Sequence, residues 1–429
     1  MTLIEELKWR GMLHDYTPET LNYLNKENNE KLTGYIGFDP TSDSLHIGSL
    51  VPILLLVHLQ KAGHTPVALI GGATGMVGDP SGKSAERNLL DEDTLQKNIR
   101  GIEKQLSQFL NFTNTQLPNA AKLVNNYDWF KNFSFIDFIR DVGKHLTVNY
   151  MMSKDSVKKR LESDTGMSFT EFSYQLVQGY DFYYLHQHHN CTLQMGGSDQ
   201  WGNIVTGLEL IRRKNGKNAY AFTCPLITKA DGGKFGKSEN GNIWLDATKT
   251  SPYDFYQFWL RADVVDAEKW IKIFTFLPQH TITNLITNNK IKPEEKLLQK
   301  TLAAELTTFV HGTQALLAAV ETTAKLYGNT NADINSLSAT DLETLEGIKL
   351  ITIPLSDVQQ NPDVVSFLTN TSIFESKGEA KKMIANNGLQ INRKKVENVH
   401  CIIDSTYLLH NQYILIQKGK KHHYLIKTS

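Results

Sequence analysis

Apolar and polar positions along this chain repeat with a period that changes several times. The first fourteen residues place Leu3, Leu7 and Met12 on one side of a helical repeat, which predicts a short amphipathic helix. The run GYIGFD at 34–39 reads as a buried strand. Residues 46–63, HIGSLVPILLLVHLQKAG, read as a helix closed by Gly63, and TPVALIGG at 65–72 as a second buried strand. Strand, helix and strand with nearly continuous apolar strands is the pattern of a parallel sheet covered on both faces.

Helical periodicity returns over 91–111 and 134–163. Cys191–Met195 is a strand candidate ended by Gly196 and Gly197, and FTCPLIT at 222–228 is another. The following ADGGKFGKSENGN, 230–242, has the Gly and Lys content of a surface loop. At Ser251 three start signals agree: an N-cap serine, Pro252 in the first helical position and Asp254 in the first turn. From there to 327 the pattern is helical throughout, 328–362 is polar and reads as a linker, and 363–429 alternates short helices and strands.

Composition narrows the class. An apolar content of 40% supports sizeable cores and excludes a disordered chain, a collagen-like repeat or a small disulfide scaffold. Three widely separated cysteines, Cys191, Cys224 and Cys401, suit neither a disulfide framework nor a cysteine zinc site, so no resident metal is expected. The N-terminus is not a secretory signal, and the most apolar stretch, Leu50 to Leu59, is too short to span a bilayer. A cytoplasmic protein without membrane contact is expected. Lys plus Arg equals Asp plus Glu at 45 each, yet 377–427 carries ten basic against three acidic residues. A basic domain is thus hidden in a neutral total.

Three segments carry candidate chemistry. GDPSGKS at 78–84 nearly matches a phosphate loop, but Val77 stands where the first glycine is required, which rejects a P-loop NTPase. The glycines of 71–84 still follow a buried strand directly, where ligands bind in open parallel sheets. In PTSDSLHIGS, 40–49, His46 opens a helix at an end that favours anions. Gly48 removes a side chain so that a flat base can approach, and Thr41 adds a hydroxyl donor. KFGKS, 234–238, puts two lysines in a glycine loop suited to a polyphosphate.

HIGS and KFGKS, in that order and nearly 200 residues apart, resemble the HIGH and KMSKS signatures of class I aminoacyl-tRNA synthetases. GYIGFDPTSDSLHIGS, LIGGATGMVGDPSGKSAER and QMGGSDQWGN narrow the resemblance to bacterial-type tyrosyl-tRNA synthetases, over essentially the whole chain. Ser49 stands where many relatives have a second histidine, and Phe235 and Gly236 replace Met and Ser. The resemblance implies an α/β architecture with a Rossmann-like catalytic domain over 1–230. A signature loop and all-helical domain over 231–327 would follow, then the linker and a small α+β RNA-binding domain over 363–429.

The implied reaction has two steps. L-tyrosine attacks ATP to give tyrosyl-adenylate and pyrophosphate, and the tyrosyl group passes to tRNA-Tyr; Mg2+ accompanies ATP and no prosthetic group is bound. By resemblance, Thr41 and His46 contact the γ-phosphate side, while Lys83, Arg87, Lys234 and Lys237 hold the pyrophosphate. Asp199 and Gly197 contact the ribose, Gly48 lets adenine pack closely, and Gly37 and Asp39 complete the nucleotide site. Tyr35 and Asp181 bond the phenolic hydroxyl, one donating and one accepting. Asp79, Tyr174 and Gln178 hold the ammonium, with Gln194 and Gln200 nearby. Tyr174, Gln178 and Asp181 follow one another at spacings of four and three, so they share one helical face within FSYQLVQGYDFYYL.

In the tail, Lys381, Lys382, Arg393, Lys394 and Lys395 form the expected RNA contact. The family also implies a homodimer, with its contact within 120–170, where FSFI at 133–136 interrupts a polar stretch. A tryptophanyl enzyme shares the signatures, but Tyr35, Asp181 and the basic tail favour tyrosine. A non-catalytic RNA-binding relative is disfavoured by the retained His46, Lys234, Lys237 and Asp199.

Overall fold

The apolar runs become the centre of a five-stranded sheet. In the computed structural model, which describes residues 2–25, 31–81, 90–113, 117–162, 166–233, 235–238, 241–327, 334, 337–343, 345, 348–419 and 422–429, two compact units emerge. One comprises 1–250 with 259–310, the other 251–258 with 311–429. The helical block after Ser251 is therefore divided between the two units.

The strands of the first unit are β1 (Thr33–Phe38), β2 (Thr65–Ile70), β3 (Lys122–Asn125), β4 (Cys191–Gly197) and β5 (Tyr220–Cys224). All pair in parallel, in the order β3-β2-β1-β4-β5. Chain order reverses between β1 and β4. There the register slips by one residue, so that Gly34 faces Leu193 and Tyr35 faces Gln194. The helix Leu50–Lys61 is apolar on all sides because it is buried on all sides, with Leu50, Ile53, Leu54, Leu56 and Leu59 inaccessible. A single 3-10 turn, Ile47–Ser49, precedes it, with His46 as the cap.

Two expected elements differ. The predicted helix over 134–163 is broken into Phe135–Asp141, Val148–Met152 and Asp155–Leu161. Ser134 and Thr147 accept hydrogen bonds from the N–H groups of Asp137 and Tyr150, and each opens a new helix. The strand expected over 222–228 covers 220–224 instead, and Pro225, lacking a ladder donor, follows its end. Beyond it, β6 (Lys237–Ser238) and β7 (Gly241–Asn242) form a small antiparallel pair within the predicted loop.

The second unit contains the helix Thr313–Tyr327 and a mixed sheet. Its strands are β8 (Lys349–Ile353), β9 (Leu389–Ile391), β10 (Lys394–Lys395), β11 (Tyr413–Lys418) and β12 (His422–Thr428), ordered β10-β9-β11-β12-β8. β8 corrects the linker expected over 328–362, since it pairs in parallel with β12 from Lys349 to Ile353. The helices Val364–Asn370 and Lys377–Ala385 cover the sheet through Phe367, Leu368 and Ile384. Asn392 and Arg393, at φ of 50° and 64°, make the tight turn between β9 and β10.

Candidate functional site

Ligands of open parallel sheets bind beyond the carboxyl ends of the strands, where the strand order reverses. Here a cavity of about 610 Å³ opens at that place, beside β1 and β4. The turn after β1 contributes Asp39, Thr41, His46 and Gly48. The turn after β2 contributes Thr74, Asp79 and Ser81, and the helix Phe169–His188 contributes Tyr174, Gln178 and Asp181. β4 and the turn after it supply Gln194, Gly197, Asp199 and Gln200, while β1 itself presents Tyr35 and Gly37. All of these were singled out from sequence except Thr74 and Ser81. Lys83, Arg87 and Lys234 lie outside the described residues, and for Lys237 the description is limited to its backbone in β6.

The cavity has three polar regions. In the first, the Tyr35 hydroxyl is buried and has no hydrogen-bond partner among the described residues. Burial chiefly, and then the Asp181 carboxyl, hold its pKa well above the ordinary value, so it remains a donor. Asp181 is 2% exposed; its Oδ2 accepts from Asn126 Nδ2 at 3.0 Å and its Oδ1 from Trp129 Nε1 at 2.9 Å. Burial raises the Asp181 pKa to about 8, against the lowering effect of those two donors. Gln194, beside Tyr35 in the sheet, also has a buried Oε1 with no partner among the described residues.

The second region is acidic and crowded with amides. Asp79 accepts from the Ser81 N–H at 2.9 Å and from Gln200 Nε2 at 2.7 Å. Asn203 Nδ2 reaches Gln178 Oε1 at 3.0 Å, Ser81 Oγ at 3.2 Å and Gln200 Oε1 at 3.3 Å. Tyr174 donates its hydroxyl to Asp39 Oδ2 at 2.8 Å, so towards a ligand it can only accept. Burial, together with the Asp39 and Asp79 charges, keeps that phenol protonated.

The third region lies at the turn before the Leu50–Lys61 helix. His46 Nδ1 accepts the Gly48 N–H at 3.0 Å, which places the hydrogen of the neutral ring on Nε2. A Cβ at position 48 would fall 2.6 Å from His46 Cε1, so this glycine first of all makes room for the imidazole. The expectation of a base packed on Gly48 has to share that space. The signature loop joins here through the main chain. Ile47 N–H donates to the Ile243 carbonyl at 3.0 Å, Leu245 N–H to that of Leu45 at 2.9 Å, and Ile243 N–H to that of Gly236 at 3.0 Å.

A family model described as tRNA synthetases class I (W and Y) matches residues 26–328, and a tyrosine–tRNA ligase SYY-like C-terminal domain matches 346–426. Curated tyrosine–tRNA ligases of Flavobacterium johnsoniae and Porphyromonas gingivalis are each 56% identical to this chain, over 99% of both lengths. The chain belongs to the tyrosine–tRNA ligase family. A C-terminally truncated mitochondrial tyrosyl-tRNA synthetase of Aspergillus nidulans is 28% identical with a TM-score of 0.68, covering 76% of this chain and 94% of that one. A tryptophanyl-tRNA synthetase of Encephalitozoon cuniculi, 14% identical with a TM-score of 0.53, covers 80% of this chain and 91% of that one and shares the fold.

Within the ligase family's signatures, two departures here have local causes. Phe235 packs against Trp259, Trp270 and Phe274, with centroids 5.9, 5.0 and 5.3 Å away. Gly236 has φ of 85°, which suits glycine far better than the consensus serine. Sequence reasoning missed Asn126, Trp129 and Asn203. Asn203 lies one helical turn after Gln200, and Asn126 directly follows β3, so spacing and strand ends were the available signals. In the second unit Lys381, Lys382, Lys394 and Lys395 are exposed. Arg393 departs from expectation: it is half-buried, and its Nη2 donates to the Lys325 carbonyl in the last turn of the Thr313–Tyr327 helix. A guanidinium capping a helix is not part of an open basic face.

Proposed function

We propose that this protein activates L-tyrosine with ATP and transfers the tyrosyl group to tRNA-Tyr. The observation that carries the choice of amino acid is the pair Tyr35 and Asp181, both buried in one cavity. Tyr35 offers a hydroxyl with no hydrogen-bond partner among the described residues, and Asp181 offers a carboxyl oriented by two N–H donors. A phenolic hydroxyl satisfies both, accepting from Tyr35 and donating to Asp181. Asp79, the Gln178 carbonyl oxygen and the Tyr174 oxygen can each accept from the substrate's ammonium.

The tyrosine carboxylate then attacks the α-phosphorus of ATP, an oxygen–phosphorus bond forms to the carboxylate and pyrophosphate leaves. The terminal ribose hydroxyl of the tRNA next attacks the activated carbonyl and AMP leaves. Neither step needs a protein nucleophile, and the chain's contribution is orientation and charge stabilisation. The cavity thiol, Cys224, accordingly stays protonated, burial raising it to about 12. His46 presents Nε2–H towards the phosphates, with Thr41 beside it, and Asp199 and Gly197 face the ribose. Lys83, Arg87, Lys234 and Lys237 neutralise the departing pyrophosphate, and Mg2+ enters with ATP. Magnesium of this kind is held largely by the substrate's phosphates and water.

The four exposed lysines of the tail contact tRNA phosphates. Homodimerisation is supported by exposed apolar side chains of the first unit, Phe135, Ile136 and Phe169, at 62%, 70% and 69% exposure. No described helix is long and apolar enough to cross a membrane, and we place the activity in the cytoplasm, beside its tRNA. Pyrophosphate exchange with tyrosine, tryptophan and phenylalanine in parallel tests the proposal. Exchange with tryptophan in place of tyrosine would overturn it.

A further inference from the structure

The two ends of the amino-acid site are joined by a side chain that neither end requires for itself. Thr74 follows β2, and its hydroxyl donates to Asp39 Oδ1 at 2.7 Å. The same oxygen accepts from Asn126 Nδ2 at 3.1 Å, and that Nδ2 also donates to Asp181 Oδ2 at 3.0 Å. Asn126 Oδ1 is itself fixed by the Ala73 N–H at 2.6 Å. Asp39 in turn accepts from Tyr174 at 2.8 Å. One continuous set of hydrogen bonds therefore runs from Asp181, the reader of the phenol, to Asp39 and Tyr174 at the other end. Thr74, Asn126, Asp181 and Tyr174 are 2%, 0%, 2% and 4% exposed. Gly71 belongs to the same arrangement, since a Cβ there would fall 2.1 Å from Asp39 Oδ1 and 2.3 Å from Thr74 Oγ1, too close for either.

We propose that Thr74 is a positioning residue for substrate selection, its hydroxyl holding Asn126, and through it Asp181, in the orientation that recognises the phenolic hydroxyl. This rests on the tyrosine-activating function proposed above. Valine has nearly the same shape as threonine but neither donates nor accepts. In its presence Asn126 keeps the Ala73 bond and loses the Thr74 oxygen that directs its second hydrogen. Buried networks of this kind tolerate partial satisfaction poorly. The consequence is selective. Phenylalanine makes no bond to Asp181, so its activation registers only the Asp39 and Tyr174 end, whereas tyrosine registers both.

The experiment is pyrophosphate exchange by the full chain, giving kcat/KM for tyrosine and for phenylalanine in wild type, Thr74→Ser and Thr74→Val. Circular dichroism and unfolding midpoints establish that each variant is folded. Thr74→Val should lower the tyrosine-to-phenylalanine preference about tenfold, the scale of one hydrogen bond. Thr74→Ser, which keeps the hydroxyl, should stay within roughly threefold of wild type. If Thr74→Val does not fold, Thr74→Ala is read by the same criterion. A variant that loses both activities in equal proportion, or a serine variant as impaired as the valine one, overturns the relay alone. A wild-type chain inert with tyrosine overturns the assigned function and the relay with it.

Discussion

Asp181→Asn separates two things that a single side chain does. Each carboxyl oxygen faces a donor, Asn126 Nδ2 at 3.0 Å and Trp129 Nε1 at 2.9 Å. A carboxyl group, ionised or protonated, keeps a lone pair for each of them. A carboxamide does not, because its nitrogen accepts nothing, so one buried N–H is left facing another. That cost, about 1–3 kcal/mol, falls on the folded chain whether or not substrate is bound. Activation of tyrosine loses something else, a hydrogen bond from the phenol to an ionised oxygen. At about 1.5–3 kcal/mol, this predicts a fall of roughly 10–150-fold in kcat/KM for tyrosine, with phenylalanine nearly unaffected. Pyrophosphate exchange reads the second effect and urea unfolding the first. Tyrosine activation within about threefold of wild type would refute the placement of the phenol. An unchanged unfolding midpoint would refute the role given to the two donors.

Five further outcomes are expected. Tyr35→Phe removes one neutral hydrogen bond and should lower the tyrosine-to-phenylalanine preference by about 1 kcal/mol, measured as the ratio of kcat/KM values. Phenol binding favours the ionised form of Asp181, whose pKa in the free cavity is about 8, so tyrosine affinity should rise from about pH 6 to 8 while phenylalanine affinity stays flat in equilibrium dialysis. The linked stability has the opposite sign. The folded chain retains a proton that the unfolded chain releases, so this group's contribution falls as pH rises from the ordinary carboxylate range through about 8. Ending the chain before Lys349, the start of β8, should spare adenylate formation and strongly weaken tRNA charging, checked by exchange and charging assays on the same preparation. Ile136→Asp should shift sedimentation at micromolar concentration from dimer to monomer, and a wild type that sediments as a monomer would defeat the interface.

What was legible from sequence was what depends on local period and on strand ends. Leu50–Lys61 announced itself because every face is apolar, and the turn after β2 because its glycines follow a buried strand. The helical face bearing Tyr174, Gln178 and Asp181 was likewise readable, since spacing alone sets it. Partners across the fold were not. That Tyr174 bonds Asp39, 135 positions away, depends on tertiary placement that no period encodes. β8 escaped because an edge strand needs apolar character on one face only: Lys349, Leu350 and Thr352 are exposed, and Ile353 alone is fully buried. Arg393 looked like its lysine neighbours in the sequence, and only the tight turn at Asn392 aims it elsewhere.

The joint between the two signatures sets which changes this chain can absorb. Residues 45–47 and 243–245 are held together by main-chain hydrogen bonds, with His46 bridged to Trp244. Bonds of that kind are indifferent to side-chain identity. Substitutions such as Ser49, Phe235 and Gly236 can therefore accumulate without shifting one signature against the other. Changes of length are a different matter. From the Gly236 carbonyl to the Ile243 N–H the loop is closed on itself, and from Ile243 to Leu245 it is tied to the start of the helix. One residue added to or removed from 243–245 would swing every following carbonyl to the opposite side and unfasten the joint. Lineages of this enzyme should thus keep the residue count of 243–245 more strictly than its identities, within the apolar character that the buried Ile243 and Leu245 require, and a library built by insertion here should yield far fewer active clones than one built by apolar substitution.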